Sequence, residues 1–214
     1  MTKLIKVIFL SVFLLSFASA KDFKNLDIQK IGSDVLSSYE RVKVVMPIIL
    51  SSAEGATKDT IFGGKLYWSR DWKPLSSQKL SEVKKTMSLM LQKQRKRDKA
   101  LKRKGRKGVR HFSSAVGFLQ INKKTLVSHM EKCGMSVNTV FTQEVQERLM
   151  MSIFMEIGLK KYILGKISRK SFILRLSRRW ASLPNPRTGK SYHGQPTNIS
   201  LKKLNLLFDI AKLP

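Results

Sequence analysis

Val42 to Leu50 is the stretch that most limits how this chain can fold. It is almost entirely apolar, interrupted by Lys43. It is too short to cross a bilayer, so its apolar side chains must be covered by protein. Read as a buried helix, it becomes the element around which the rest must pack. Pro47 sits inside it and is expected to bend or restart it. The run closes with Ser51-Ser52-Ala53-Glu54-Gly55. A carboxylate at a helix C-terminus faces the negative end of the helix dipole. Partial burial there also disfavours ionisation. A Glu so placed can hold a proton near neutral pH and donate it, as a general acid must. The plainer reading is a Glu beside a Gly cap on a solvated helix end.

Residues 1–20 read as a secretory signal peptide. Lys3 and Lys6 give a positive start, Leu4 to Phe17 is mostly apolar, and Ala18-Ser19-Ala20 is a small-residue cleavage site. The competing reading, a membrane anchor, asks for a longer apolar run. No Cys follows the cleavage site, and no later stretch is long and apolar enough to span a bilayer. The expectation is export to the periplasm or medium without a transmembrane anchor. Residues 21–40 read as a partly ordered arm, and 41–214 as one domain. Cys133 is the single cysteine, so no internal disulfide is expected. It reads as a small apolar packing residue.

The chain carries a formal charge of +28. The leader holds two of those cations, which leaves about +26 on the rest. Such a chain seeks a polyanion. Much of the charge lies in one basic run, 93–110. It reads either as a solvated, mobile loop or as an electrostatic handle for a polyanion. No aromatic residue interleaves it before Phe112. A base-stacking surface, and with it a specific nucleic-acid partner, is therefore not expected.

Elsewhere the spacing is helical. Ser76 or Ser77 is the expected cap of a helix whose apolar positions are Leu80, Val83, Met87, Met90 and Leu91. A short helix over 125–131 stops at Gly134. Thr142 caps a helix with Glu144 in its first turn and Val145, Leu149, Ile153, Phe154 and Ile157 along one face. Ser168 caps another, with Phe172, Ile173, Leu176 and Trp180 inward. An amphipathic helix over 201–210 closes the chain. Between these, 59–71 has a Gly pair between β-formers and reads as a small hairpin. Tyr67, Trp68 and Trp72 there suit a core or a sugar-stacking wall equally. Ser114 to Ile121 leads small residues into Gly117 and then an isolated amide, Gln120. Gly117 would allow close backbone approach to a ligand. A buried Gln needs a partner in backbone or ligand. The fold class is α+β, mainly α.

Four segments together resemble one known family, the lambda-endolysin type of lytic transglycosylase in the lysozyme-like superfamily. The likeness is greater to its secreted and phage-tail muramidase-like relatives. Ser52-Ala53-Glu54-Gly55 resembles the catalytic-acid segment. Asp59 to Tyr67 resembles the Asp-x-Ile-x-Gly-Gly hairpin. Ser114 to Ile121 resembles the Gly-x-x-Gln cleft segment. Trp180-Ala181-Ser182-Leu183-Pro184 with Ser191-Tyr192-His193-Gly194 resembles the C-terminal signature. Phe118 and Leu119 depart from it, standing where relatives often carry Arg and Tyr.

The resemblance implies a two-lobed, lysozyme-like helical domain with a glycan cleft. It implies Glu54 as the single acid/base, and Ser114, Gly117, Gln120 and Tyr192 as substrate-binding residues. The expected substrate is the glycan strand of peptidoglycan, with an envelope-spanning secretion or assembly machine as the candidate protein partner. No cofactor is expected. His111, His129 and His193 lack ligand spacing, so no metal is expected either. Two alternatives stand beside this reading. One is a muramidase that uses water, with Asp59 as its second carboxyl. The other is a basic cell-wall-binding scaffold without activity.

Overall fold

The computed structural model describes residues 37–60, 73–108 and 112–214. The expected leader, most of the arm, His111, and residues 61–72 with most of the expected hairpin lie outside them. The described chain is mainly helical. Its β structure consists of isolated bridges. It forms two compact units. One comprises the described residues up to Glu54 together with Ile157–Pro214; the other is Gly55–Glu156.

In the first unit, helix α1 runs Ser38–Glu54. Its start is a capping box. The Ser37 hydroxyl accepts from the Glu40 amide at 3.3 Å, and the Glu40 carboxylate accepts from the Ser37 amide at 2.7 Å. Val42, Val45, Met46, Ile49, Leu50 and Ala53 are buried. Their alternating three- and four-residue steps make one continuous inward stripe. Each of the larger side chains contributes about 1.5–3 kcal/mol by burial. Together they outweigh Pro47, which costs an interior helix about 3 kcal/mol. The expected restart at Pro47 therefore does not occur: the helix runs through it.

The remainder of that unit holds α5 (Leu159–Ile163), α6 (Arg169–Arg179) and α7 (Leu201–Ile210). Ser168 and Ser200 cap α6 and α7 by accepting from Ser171 N and Lys203 N. Helix α7 packs on α1, and α5 on α6. Tyr162 stacks on Phe172 with ring centroids 4.6 Å apart. The Tyr162 hydroxyl donates to the main-chain oxygen of Pro214. Arg169 fixes the same tail through Pro214 O and Leu213 O, both at 2.9 Å.

The second unit holds α2 (Leu80–Arg103), α3 (Lys123–Lys132) and α4 (Gln143–Ile157), whose last residue begins the other unit. Two expectations are corrected here. Ser76 and Ser77 do not cap α2: they lie in a 3-10 turn, Leu75–Ser77. After it the chain is extended, and Leu80 N and Gln78 O pair with Thr139 O and Phe141 N at 2.8 Å. That pairing holds Gln78 and Lys79 out of the helix, which starts at Leu80 with Glu82 accepting from Lys79 N at 2.7 Å. Nor is the basic run simply a loop. Helix α2 carries on to Arg103, and Lys93 to Arg103 are its last three turns.

Helix α4 starts where its expected cap indicated, whereas α3 starts at Lys123, two residues before the expected Thr125. Asn122 caps α3, and Thr142 accepts from Val145 N at 3.3 Å at the head of α4. Val145, Leu149, Ile153, Phe154 and Ile157 are all buried. Cys133 is free and half-buried at the end of α3, its thiol 3.9 Å from Arg148 O.

Candidate active site

Glu54 is the last residue of α1, and the chain turns away at Gly55 with φ +60°. The apolar stripe of α1 drives this end of the helix inward, so the carboxyl is carried into partial burial by its neighbours. Burial pushes the Glu54 carboxyl above its ordinary value. A hydrogen bond from the Ser182 hydroxyl to Oε1 opposes that shift without cancelling it. No described basic side chain forms an ion pair with Glu54. The group is a carboxyl biased towards its acid form and oriented by a neutral donor.

Ser182 reaches Glu54 because of the segment that holds it. Trp180 and Leu183 are buried and Leu183 N closes a turn onto Trp180 O at 3.1 Å. Ser182 itself is 6% exposed. Asn198 then ties this segment to α1. Its amide N donates to Ser182 O at 3.3 Å, and its side-chain Nδ2 donates to Ala53 O at 2.6 Å. Ala53 O belongs to the final turn of α1, whose carbonyls lack partners within the helix. Asn198 thus fixes both the acid's helix end and the residue that orients the acid.

Tyr192 belongs to the same unit. Pro184 and Ser191 form an antiparallel bridge, which joins the two halves of the expected C-terminal signature. Tyr192 is 48% exposed, with the Arg178 guanidinium 5.3 Å from its ring centroid and the His193 ring edge-on at 5.4 Å. His193 Nε2 is itself 3.0 Å from Arg178 O. An exposed, oriented aromatic ring of this kind suits a sugar's C–H face.

The other expected residues lie in the second unit. Gly117-Phe118-Leu119-Gln120 is a four-residue turn closed by the Val116–Ile121 bridge. Gly117 has φ +70°, and a Cβ there would lie 2.2 Å from Gln146 Oε1. Within the protein, the close approach that demands glycine is to Gln146. Gln146 is fully buried. Its Oε1 accepts from Phe118 N at 3.1 Å, and its Nε2 donates to Lys58 O at 3.0 Å and Phe141 O at 3.3 Å. One amide ties three chain segments, and Gly117 N adds a bond to Thr60 O at 2.8 Å.

Gln120 is half-buried in this turn and has φ +46°. Its Nε2 donates to Gly117 O at 2.8 Å and its backbone N to the same oxygen at 3.1 Å. Its partner is backbone, one of the two kinds the sequence allowed. Ser114 is buried, and its hydroxyl accepts from Lys123 N at 3.1 Å. It lines an open hollow of about 750 Å³ with Leu91, Asn122, Lys123, Val127 and Glu131. Asp59 Oδ1 accepts from Ser76 N at 2.7 Å, so one of its oxygens is engaged in holding the 3-10 turn.

Among the described residues no group of three His, Cys, Asp or Glu side chains could hold a metal ion. His129 is buried, with Nδ1 2.8 Å from Ser152 Oγ and Nε2 3.5 Å from Glu156. No described helix is long and apolar enough to cross a membrane.

Ser182, Asn198 and Gln146 were not singled out by sequence reasoning. Ser182 had one signal, its place in the Trp-Ala-Ser-Leu-Pro motif. Gln146 had another, as an amide beside the apolar stripe of α4. Models of protein families, curated proteins and solved structures all fail to give a match to this chain.

Proposed function

We propose that this protein is an exported peptidoglycan lytic transglycosylase with a lysozyme-like fold, and that Glu54 is its single acid/base. The observation that carries the reading is the state of Glu54: a carboxyl pushed towards its protonated form by burial and held by Ser182. Proton donation to a glycosidic oxygen requires such a group. The resemblance of the four quoted sequence segments to the transglycosylase family supplies the substrate class.

In this reading Glu54 protonates the oxygen between N-acetylmuramic acid and N-acetylglucosamine, and the C1–O bond breaks as the N-acetylglucosamine leaves. The muramyl 2-acetamido group assists departure. The Glu54 carboxylate then takes the proton of the muramyl C6 hydroxyl, whose oxygen bonds to C1 and closes a 1,6-anhydro ring. The proton balance returns to its start, and no water is consumed. Ser182 fits this cycle because a neutral donor can serve both states of the carboxyl. Gln120, Ser114 and Tyr192 are the proposed glycan contacts. Local wall opening for an envelope-spanning machine, or lysis, would be the use of such an activity.

Digestion of purified sacculi, with muropeptides identified by mass, tests the reading. Anhydromuramic ends are the expected product. Free reducing ends would instead indicate the water-using muramidase, and intact sacculi with bound protein would indicate the scaffold.

A further inference from the structure

The basic run is stapled rather than loose. Gln94, on the inner side of α2, clasps the returning chain in both directions. Its Nε2 donates to Ser113 O at 2.6 Å, and its Oε1 accepts from Ser113 N at 2.8 Å. One turn further on, Asp98 is 8% exposed and pairs with Lys102 at 2.9 Å. It is the single acid among ten Lys and Arg between residues 93 and 107. The return chain lies directly on it: a Cβ at Gly108 would sit 2.2 Å from Asp98 Oδ1. After Arg103 the chain reverses at once, with Arg106 N bonding Leu101 O at 3.0 Å.

These ties leave one side of the helix uniformly cationic. With Lys102 drawn onto Asp98, the exposed cations of that side are Arg95, Lys96, Lys99 and Arg103. Their three- and four-residue spacing places them in one stripe, opposite the side that carries Met87, Met90, Gln94 and Asp98. Eight residues of rise make that stripe about 12 Å long. The exposed positions of α2 from Gln92 onward include no aromatic or large aliphatic residue; Ala100 is the sole apolar one. The stripe itself therefore carries neither a row of stacking rings nor a broad apolar face; Leu89 and Phe112 are the exposed large apolar side chains that flank it. The stripe retains a row of cations for an extended, hydrated polyanion.

We propose that this stapled helix is a docking surface for the anionic peptide stems of peptidoglycan. It would hold the protein on the polymer independently of cleavage. The proposal rests on the reading of the chain as a peptidoglycan enzyme. Two observations favour this occupant: charge complementarity to carboxylates repeated along a chain, and the clasp by Gln94, which joins the base of the stripe to Ser113, next to the Ser114 segment proposed to contact glycan.

The test uses the full chain carrying Glu54→Gln, so that sacculi stay intact during binding. To it is added the fourfold change of Arg95, Lys96, Lys99 and Arg103 to Gln, a residue that keeps helix propensity and leaves the Lys102–Asp98 pair in place. A control variant changes Lys160, Lys161, Lys166 and Lys170 to Gln, which removes the same formal charge elsewhere. Co-sedimentation with sacculi is measured across salt concentrations, beside double-stranded DNA and anionic phosphatidylglycerol vesicles. The stripe variant should bind sacculi at least about tenfold more weakly at low salt and with a flatter salt dependence. The control should change much less, and helicity by circular dichroism should be the same in all. Equal losses in the two variants, or unchanged binding by the stripe variant, would overturn the proposal. Tighter, stripe-dependent binding of DNA or vesicles than of sacculi would reassign the surface to that partner. None of these outcomes depends on cleavage, so the product assay on unsubstituted protein judges the enzymatic reading separately.

Discussion

The Ser182 hydroxyl donates to Oε1 of Glu54, a contact between residues 128 apart in sequence. It joins the end of α1 to the segment after α6, inside one compact unit. A neutral hydroxyl at this position orients the carboxyl without forcing it to ionise. An Arg or Lys there would do the opposite, holding the group as a carboxylate and removing the acid.

Replacing Ser182 by Ala should therefore have two separable effects. The hydroxyl hydrogen bond lowers the Glu54 pKa, so its loss should move the acid's titration further upward. The alkaline limb of the pH–rate profile should shift to higher pH. The orientation would be lost as well, so kcat should fall with little change in KM. Ser182→Thr, which keeps the hydroxyl, should restore much of the rate. An unmoved alkaline limb in Ser182→Ala would show that the contact does not bear on the acid.

Stability should respond to Glu54 with a definite sign. Its folded pKa is raised above the ordinary 4.5, mainly by burial. The folded state thus favours the protonated form. That contribution is complete below pH of about 4.5 and is lost as pH rises through the folded value. Glu54→Gln mimics the neutral form at all pH. Its Tm should exceed that of the unsubstituted protein at neutral pH, and the gap should close as pH falls towards 4. A constant gap across this range would mean that Glu54 ionises as freely in the folded state as in the unfolded one.

Much of the helical frame was legible in the sequence, because helices announce themselves by repetition. The three- and four-residue spacing of α4 and α6 identified faces that are buried in the structure, and the apolar run of α1 marked a helix that packs inward. Ser168, Thr142 and Gly55 marked ends that the structure keeps. The last turns of α2 were not legible as helix. Their apolar face shrinks to Leu101, and the inner positions Gln94 and Asp98 are polar residues satisfied by the returning chain. Polar tertiary partners leave no period to read. Gln146 and Ser182 were hidden for the same reason: a single buried polar residue acts through partners far away in sequence. Gly117 showed its need for glycine, but the atom demanding it was on α4.

Gln146 makes a stability prediction that is independent of catalysis. Gln146→Leu would fill much the same volume yet strand Phe118 N, Lys58 O and Phe141 O. A buried group left unsatisfied costs about 1–3 kcal/mol, so the change should destabilise the fold by roughly 2–4 kcal/mol. Gly117→Ala should also destabilise, because the new methyl meets Gln146 Oε1 at φ +70°. The two effects should not add, since Leu removes the oxygen that the methyl would strike. Urea denaturation of the single and double variants measures this coupling. Simple additivity would show that Gly117 is needed for its backbone angle alone.

Gln120 can be tested as a glycan contact against its role in its own turn. Gln120→Gly removes the side-chain bonds to Gly117 O and, at 3.4 Å, to Thr60 O but suits the φ of +46°, which offsets part of that loss, so stability should change little. Gln120→Ala loses the same two bonds and keeps an unfavourable backbone, so it should be the less stable of the two. If the amide contacts glycan, both variants should lose kcat/KM by a similar factor, equivalent to about 1–3 kcal/mol for a lost hydrogen bond. If the amide only closes the turn, activity should follow stability, with Gly near normal and Ala impaired.

Glu54→Gln gives the most direct test of the chemistry. The amide matches the carboxyl in size and still accepts from Ser182, so the end of α1 should keep its shape. It has no proton to give at the required strength and no carboxylate to receive one. General acid catalysis accounts for about a hundredfold to ten-thousandfold. Because one residue serves here as both acid and base, release of muropeptides from sacculi should fall at or beyond the upper end of that range. Binding to the same sacculi should persist. Asp59→Asn is the companion variant, because Asp59 already holds Ser76 N through one oxygen. A transglycosylase should retain most of its anhydro product with that change, whereas a muramidase using Asp59 as base should lose its reducing-end product. Normal anhydro release by Glu54→Gln would remove Glu54 from the reaction and leave the binding scaffold as the better account of the chain.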